Sequence, residues 1–110
     1  MKSPRQPFRP ALERSTRDAR EALAATIYDA PTVKAALSAE AGKGLTCAQV
    51  VTPFAVDLRE TAAAVTISAW LSAEGLRTEW SRRADPQRLH ALASDYWDLV
   101  VSWESDRVKV

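Results

Sequence analysis

The segment Tyr96-Trp97-Asp98-Leu99-Val100-Val101-Ser102-Trp103 decides the architecture. It admits two readings. Leu89, Leu92, Tyr96, Val100 and Trp103 fall on one stripe if the region forms a single long helix. The β-branched pair Val100-Val101 inside a short Leu-Val-Val run favours a buried strand from Asp98 to Trp103 instead. The strand is adopted, and it makes the second half of the chain an alternation of strands and helices.

Outward from this strand, Asp85-Pro86 has the composition of a helix start, with Asp as cap and Pro in the first turn. Leu89, Leu92, Ala93 and Tyr96 supply that helix with an apolar stripe. Residues 76–81 (LRTEWS) alternate with period two, as a strand does. A helix is expected over residues 58–74, with Asp57 and Glu60 spaced as a capping box and Gly75 as its stop. It is uncharged from Thr61 to Ala73, so it should be buried on more than one side. Residues 47–52 (CAQVVT) read as another buried strand, closed by Pro53, which cannot donate to a ladder.

The first half is helical. Leu12, Ala19, Leu23 and Ile27 form one stripe of a helix over residues 10–28. A second helix, residues 31–41, starts after Asp29-Ala30-Pro31-Thr32 and ends at Gly42-Lys43-Gly44. Pro4 and Pro7 make residues 1–9 a flexible basic arm. Residues 107–110 read as a short extra strand or a frayed end.

The predicted fold class is therefore α/β: a small three-stranded, mostly parallel sheet with crossover helices, preceded by two N-terminal helices. A single domain spans residues 10–110, helical over 10–44 and βαβαβ over 45–110. Both sheet edges are open, and the N-terminal helices or a second copy of the chain would cover them. The alternative fold is a winged helix-turn-helix over residues 32–76. There Leu45-Thr46 opens a helix, residues 58–73 form the recognition helix, and Gly75-Leu76 enters a wing.

Composition narrows the function. The chain has 110 residues and a formal net charge of +1, which fits one domain and excludes a multi-domain enzyme. With one cysteine, Cys47, and one histidine, His90, neither an internal disulfide nor a Cys/His zinc site can form. A reducing cytoplasm is the default location. Cys47 reads as an inert core thiol, and His90 has no strong ligand at i±3 or i±4. The first 20 residues lack the apolar core of a signal peptide, and no segment is long and apolar enough for a membrane span. No nucleophile–base pair and no Gly-rich phosphate loop are present, so no enzyme, cofactor or metal is expected. Charge is uneven: residues 1–20 carry six basic against two acidic residues, the remainder nine against twelve. Such a head suits phosphates or acidic partners, although a solvated tail and helix face is the plainer explanation.

Residues 50–80, VVTPFAVDLRETAAAVTISAWLSAEGLRTEW, together with Asp98-Leu99-Val100-Val101-Ser102, resemble a truncated, degenerate half of a cobalamin-binding or receiver-type flavodoxin-like domain. The resemblance covers residues 50–102 and implies a parallel sheet with ligands at the carboxyl ends of its strands. The cobalamin family carries D-x-H-x-x-G; here Asp57-Leu58-Arg59-Glu60-Thr61-Ala62 keeps the Asp, with Arg59 for the His and Ala62 for the Gly. The cobalt-ligating imidazole is therefore missing. Receivers need an acidic pair after the first strand and a phospho-acceptor Asp after the third; here no acidic pair precedes Pro53, and the third-strand end offers Glu104 and Asp106. The residues that the resemblance leaves as cofactor contacts are Asp57, Arg59 and Ser102.

Four tryptophans, Trp70, Trp80, Trp97 and Trp103, are many for so small a core. At least one aromatic side chain is expected at the surface, available to a partner. The function expected is a small, non-catalytic regulatory or interaction module that binds a protein partner through these residues or through the apolar 58–74 helix, with homodimer formation in view. One alternative is a winged-helix transcriptional regulator, with Arg5, Arg9, Arg14, Arg17 and Arg20 on nucleic acid. It is not favoured, because the would-be recognition helix has no Lys or Arg beyond Arg59. The other is a cofactor-binding sensor.

Overall fold

The computed structural model describes residues 7–84, 86 and 94–103. Along these residues the elements are α1 (Phe8–Ile27), α2 (Ala30–Ala41), β1 (Cys47–Val50), α3 (Ala62–Ala73), β2 (Arg77–Arg83) and β3 (Tyr96–Ser102).

α1 opens at Phe8 after Pro7, so the expected arm ends before residue 8. Pro10 sits in the first turn, where its missing N–H has no intrahelical partner to lose. Asp29 starts α2: its carboxylate accepts from the Thr32 N–H at 3.3 Å and from the Thr32 hydroxyl at 3.0 Å. α3 starts at Ala62, four residues later than expected, because Thr61 and not Asp57 is the cap. The Thr61 hydroxyl accepts from the Ala64 N–H at 3.2 Å. At its far end Gly75 has φ +87°, and the N–H groups of Gly75 and Leu76 return to the carbonyls of Ser72 and Leu71, both at 3.0 Å. Gly75 thus closes α3 with a left-handed turn that a Cβ would strain.

The sheet overturns the predicted fold class. Its strand order is β1-β3-β2, and both pairings are antiparallel. β1 and β2 run parallel to each other but are not neighbours. α3 carries the chain from one edge of the sheet to the other, and β3 returns between them. The architecture is α+β, with an antiparallel three-stranded sheet where a mostly parallel one was expected. The parallel sheet implied by the flavodoxin-like resemblance is absent with it. Strand positions follow the patterning, while strand direction is set by the return of the chain through residues 84–95. The winged-helix placement is corrected too, since no helix opens at Leu45-Thr46 and residues 47–50 form β1. Residues 96–102 form a strand and no part of a helix, so Tyr96 opens β3. The remainder of the helix expected after Asp85-Pro86, His90 and the segment 107–110 lie outside the described residues.

Directly paired residues share a face, which sorts the sheet. Val50, Leu99 and Trp80 lie on one face, as do Ala48, Val101 and Thr78. This face carries the helices: α2 packs on β1, α3 on β2, and α1 lies against α3. The core joins Leu99, Val101, Leu71, Ile67, Ala64, Leu58, Val33, Ala24 and Tyr28. α3 is thus enclosed between sheet and α1, which explains its lack of charge. The opposite face carries Cys47, Gln49, Asp98, Val100, Ser102, Glu79 and Arg83 and is mostly polar. No helix among the described residues is long and apolar enough to cross a membrane.

Tyr28 stands edge-on to Trp80, ring centroids 5.8 Å apart. Its hydroxyl is buried and makes no well-formed hydrogen bond among the described residues; the nearby Thr52 side chain lowers the phenol only in part. Burial is the main cause that pushes the phenol up to about 12. Tyr28→Phe removes an unsatisfied group and should raise stability by up to about 1 kcal/mol at neutral pH. The sign of the alkaline limb follows. The raised phenol is neutral in the fold but ionises near 10 when unfolded, so wild-type stability falls as pH rises from 10 toward 12. Thermal melts of Tyr28→Phe at pH 7 and above pH 10 check both effects, and the gap between the two proteins should widen at the higher pH.

Candidate functional site

α1 is a helix with two halves. The second half is built into the domain through Leu23, Ala24, Ile27 and Tyr28. The first half continues the same amphipathic register beyond the core. There Phe8 is 75% and Leu12 51% exposed. Between this first half and the 57–61 segment runs a groove of about 710 Å³. Arg9, Leu12, Glu13, Thr16, Arg17, Arg20 and Glu21 of α1 line one side, and Asp57, Glu60 and Thr61 line the other.

Several of these charges are already engaged. The Glu21 carboxylate accepts from the Ala62 N–H at 3.0 Å, placing a negative charge at the N-terminus of α3. That helix end is thus closed to an outside anion. The Asp57 carboxylate receives both Nε and Nη2 of Arg59, at 2.9 and 2.7 Å. The Arg59 hydrogen bond is the leading cause that holds the Asp57 carboxyl below the usual range, and the charge of Arg20 adds to it. Asp57 conversely raises Arg59. The guanidinium of Arg59 lies over the Trp97 ring, 3.6 Å from its centroid. This stack is worth about 0.5–1 kcal/mol where partly exposed. Asp57 on the groove wall is therefore braced from behind by Arg59 and, through it, by Trp97 of β3.

A second polar cluster lies on the other face of the sheet. Asp98 is fully buried. Its Oδ1 accepts from the Thr52 N–H at 2.8 Å; its Oδ2 accepts from Gln49 Nε2 at 2.8 Å and Arg83 Nε at 2.9 Å. Burial pushes the Asp98 carboxyl up, but the bonds from Arg83, Thr52 and Gln49 together outweigh it and hold the group below the usual range. Arg83 also lies over the Tyr96 ring at 3.9 Å. This cluster ties the end of β1 to β3 and β2.

The sequence-derived candidates separate accordingly. Asp57 and Arg59 meet each other and not a ligand, and the helix they were expected to open begins after them. Ser102 lies five positions along β3 from Trp97 and on the opposite face, about 17 Å away, so it joins no common site with them. All four tryptophans are half-buried: Trp70 and Trp80 pack on the core, Trp97 carries Arg59, and the Trp103 N–H donates to the Thr46 carbonyl at 3.0 Å. Among the described residues the exposed large apolar side chains are instead Phe8, Leu12, Leu45, Val51, Phe54 and Val65. Cys47, expected in the core, is exposed on β1. Arg9, Arg17 and Arg20 reach the groove, whereas Arg14 is exposed elsewhere on α1 and Arg5 lies outside the described residues. The groove was not anticipated, although the run Phe8, Leu12, Ala19, Leu23 signals a stripe longer than one small core can cover. Comparison with known proteins finds no matching family model, no matching curated protein and no matching solved structure.

Proposed function

We propose that this chain is a small interaction module that binds a protein partner along the first half of α1 and the groove beside it. One observation carries this: the apolar stripe of α1 continues past the core it serves, leaving Phe8 and Leu12 exposed beside a groove of both charge signs. An exposed apolar stripe rimmed by charges is the usual form of a protein-binding surface. The groove opposes the nucleic-acid reading, since four carboxylates outnumber the three guanidinium groups that line it and phosphates would meet repulsion. Arg59 and Trp97 brace Asp57 on the groove wall from behind, so Trp97 contributes by support. A reducing cytoplasm suits the exposed Cys47 thiol.

Site-specific photocrosslinking in the native cell tests this. A photoreactive amino acid at position 12 should trap one discrete protein, and the same group at position 66, on the exposed side of α3, should not. Phe8→Glu combined with the probe at position 12 should abolish the product. Both exposed substitutions should leave the thermal melt within about 0.5 kcal/mol of wild type. A probe at position 12 that traps nothing beyond the position 66 control rejects the proposal. Salt-sensitive duplex binding lost in Arg17→Ala and Arg20→Ala would replace it with the nucleic-acid reading.

A further inference from the structure

The two edges of the sheet differ in chemistry. The β2 edge carries Arg77, Glu79, Arg82 and Arg83, charges of the kind that protect an edge from pairing. The β1 edge has no such protection: from Gly44 through Val56 the chain holds no charged residue. Leu45, Val51 and Phe54, three of the six exposed large apolar side chains among the described residues, lie on or beside it. α2 packs on β1, but among the described residues no strand pairs with its outer edge, where Cys47, Gln49 and Val51 are all exposed.

The hydrogen-bond phase of β1 defines what that edge offers. The Trp103 N–H donates to the Thr46 carbonyl, and Thr46 stands opposite Trp103 in the β1–β3 register. In an antiparallel ladder such pairs alternate, so Ala48 and Val50 also direct their N–H and C=O groups toward β3. Cys47, Gln49 and Val51 direct theirs outward. The Gln49 side chain does not obstruct the edge, because it is turned across the sheet onto Asp98.

We infer that a second copy of this chain pairs antiparallel with the β1 edge, through a two-fold axis at Gln49. In that register Gln49 faces Gln49 of the second copy, and Cys47 faces Val51 of the second copy. Each of these pairs exchanges both backbone bonds, so every outward N–H and C=O of the three residues is satisfied on both copies. An uncharged edge meets its own copy without like-charge opposition, whereas the charged β2 edge does not. The product is one continuous six-stranded sheet with β2 at each end. Contact through a single short strand and its apolar neighbours is of the small, weak class, so the dimer should be half-formed in the micromolar range. The surface is separate from the α1 groove, and either can fail without the other.

Sedimentation equilibrium of the whole chain under reducing conditions should show a monomer–dimer equilibrium. Cys47→Lys together with Val51→Lys should shift the midpoint at least tenfold toward monomer, with the far-UV spectrum and melting temperature of the monomer retained. Disulfide trapping tests the register. The thiol introduced by Val51→Cys faces the native Cys47 of the second copy at about 5.5 Å between Cα atoms, within disulfide reach. Mild oxidation should therefore give a covalent dimer of Val51→Cys. Neither wild type, whose two Cys47 residues lie four positions out of register, nor Cys47→Ser with Val51→Cys should form the same product. A chain that stays monomeric at millimolar concentration overturns the inference, as does a dimer unaffected by the two lysines. A dimer that responds to the lysines but is not trapped by Val51→Cys overturns the Gln49-centred register.

Discussion

Asp98→Ala should cost about 3 kcal/mol of folding stability, seen as a shift of the urea midpoint without a large change in slope. The carboxylate is fully buried in the central strand and receives three donors. Its removal leaves the Thr52 N–H, the Gln49 amide and the Arg83 guanidinium without their acceptor. Buried groups left so cost far more than the net value of the bonds lost. The figure lies at the low end for a buried ion pair because the Arg83 side chain is 42% exposed and regains water. Against a total stability of about 5–15 kcal/mol for a domain, this is a large fraction. Asp98→Asn should also destabilise, since its amide N–H₂ would face donors on one side.

The same residue governs the acid limb. Its folded pKa is lowered, so its stabilisation is fully present above the ordinary aspartate value near 3.9 and is lost as pH falls through the lower folded value. Asp57, lowered by Arg59, acts with the same sign. Wild type should therefore lose stability below about pH 4, and Asp98→Asn should lose less over that interval. An acid limb of equal steepness in both proteins would remove Asp98 from this role.

Leu99→Ala should cost about 2–5 kcal/mol, by cavity formation and lost burial. Leu99 is fully buried in the middle strand, with Val50 on one side and Trp80 on the other. No neighbouring element can close over the space, because both flanking strands are fixed by their ladders. Leu12→Ala, on the exposed stripe of α1, should change stability by less than about 0.5 kcal/mol. Denaturation of the two variants side by side separates the apolar residues that hold the fold from those that serve its surface. Equal losses would mean that the first half of α1 belongs to the core.

The helices α1, α2 and α3 and the strand positions were legible because periodicity and terminator residues are local. Asp29 with Pro31 starts α2, and Gly75 ends α3, through contacts within a few residues. Strand direction was not, because it follows from the return of the chain, yet one local signal existed. Strands of a buried parallel sheet are apolar on both faces. In β3 Trp97, Leu99 and Val101 alternate with Tyr96, Asp98, Val100 and Ser102, a half-polar pattern that suits an antiparallel sheet open on one side. Of the candidate site, the Asp57–Arg59 pair was visible as a neighbouring couple. Its ring platform, Trp97, was not, nor was the Glu21 cap on Ala62, 41 positions away. Asp98 was read only as the start of a strand; its partners Gln49 and Thr52 come from 49 and 46 positions earlier, which no local pattern shows.

The placement of β3 has a consequence for how the protein comes into being. Among the described residues β1 and β2 are not paired with each other; each pairs with β3, the last of the three strands to be made. During synthesis α1, α2 and α3 emerge first, and helices of this length are marginal without a sheet to pack on. No ladder can form until residues 96–102 leave the ribosome, and Asp98 closes its bonds to Gln49, Thr52 and Arg83 only at that moment. Folding is then a single late event governed by long-range contacts, with little native structure held in reserve along the way. Until it happens the β1 segment lacks the one strand that pairs with it among the described residues, and that interval is when chaperone capture or mispairing would compete with folding.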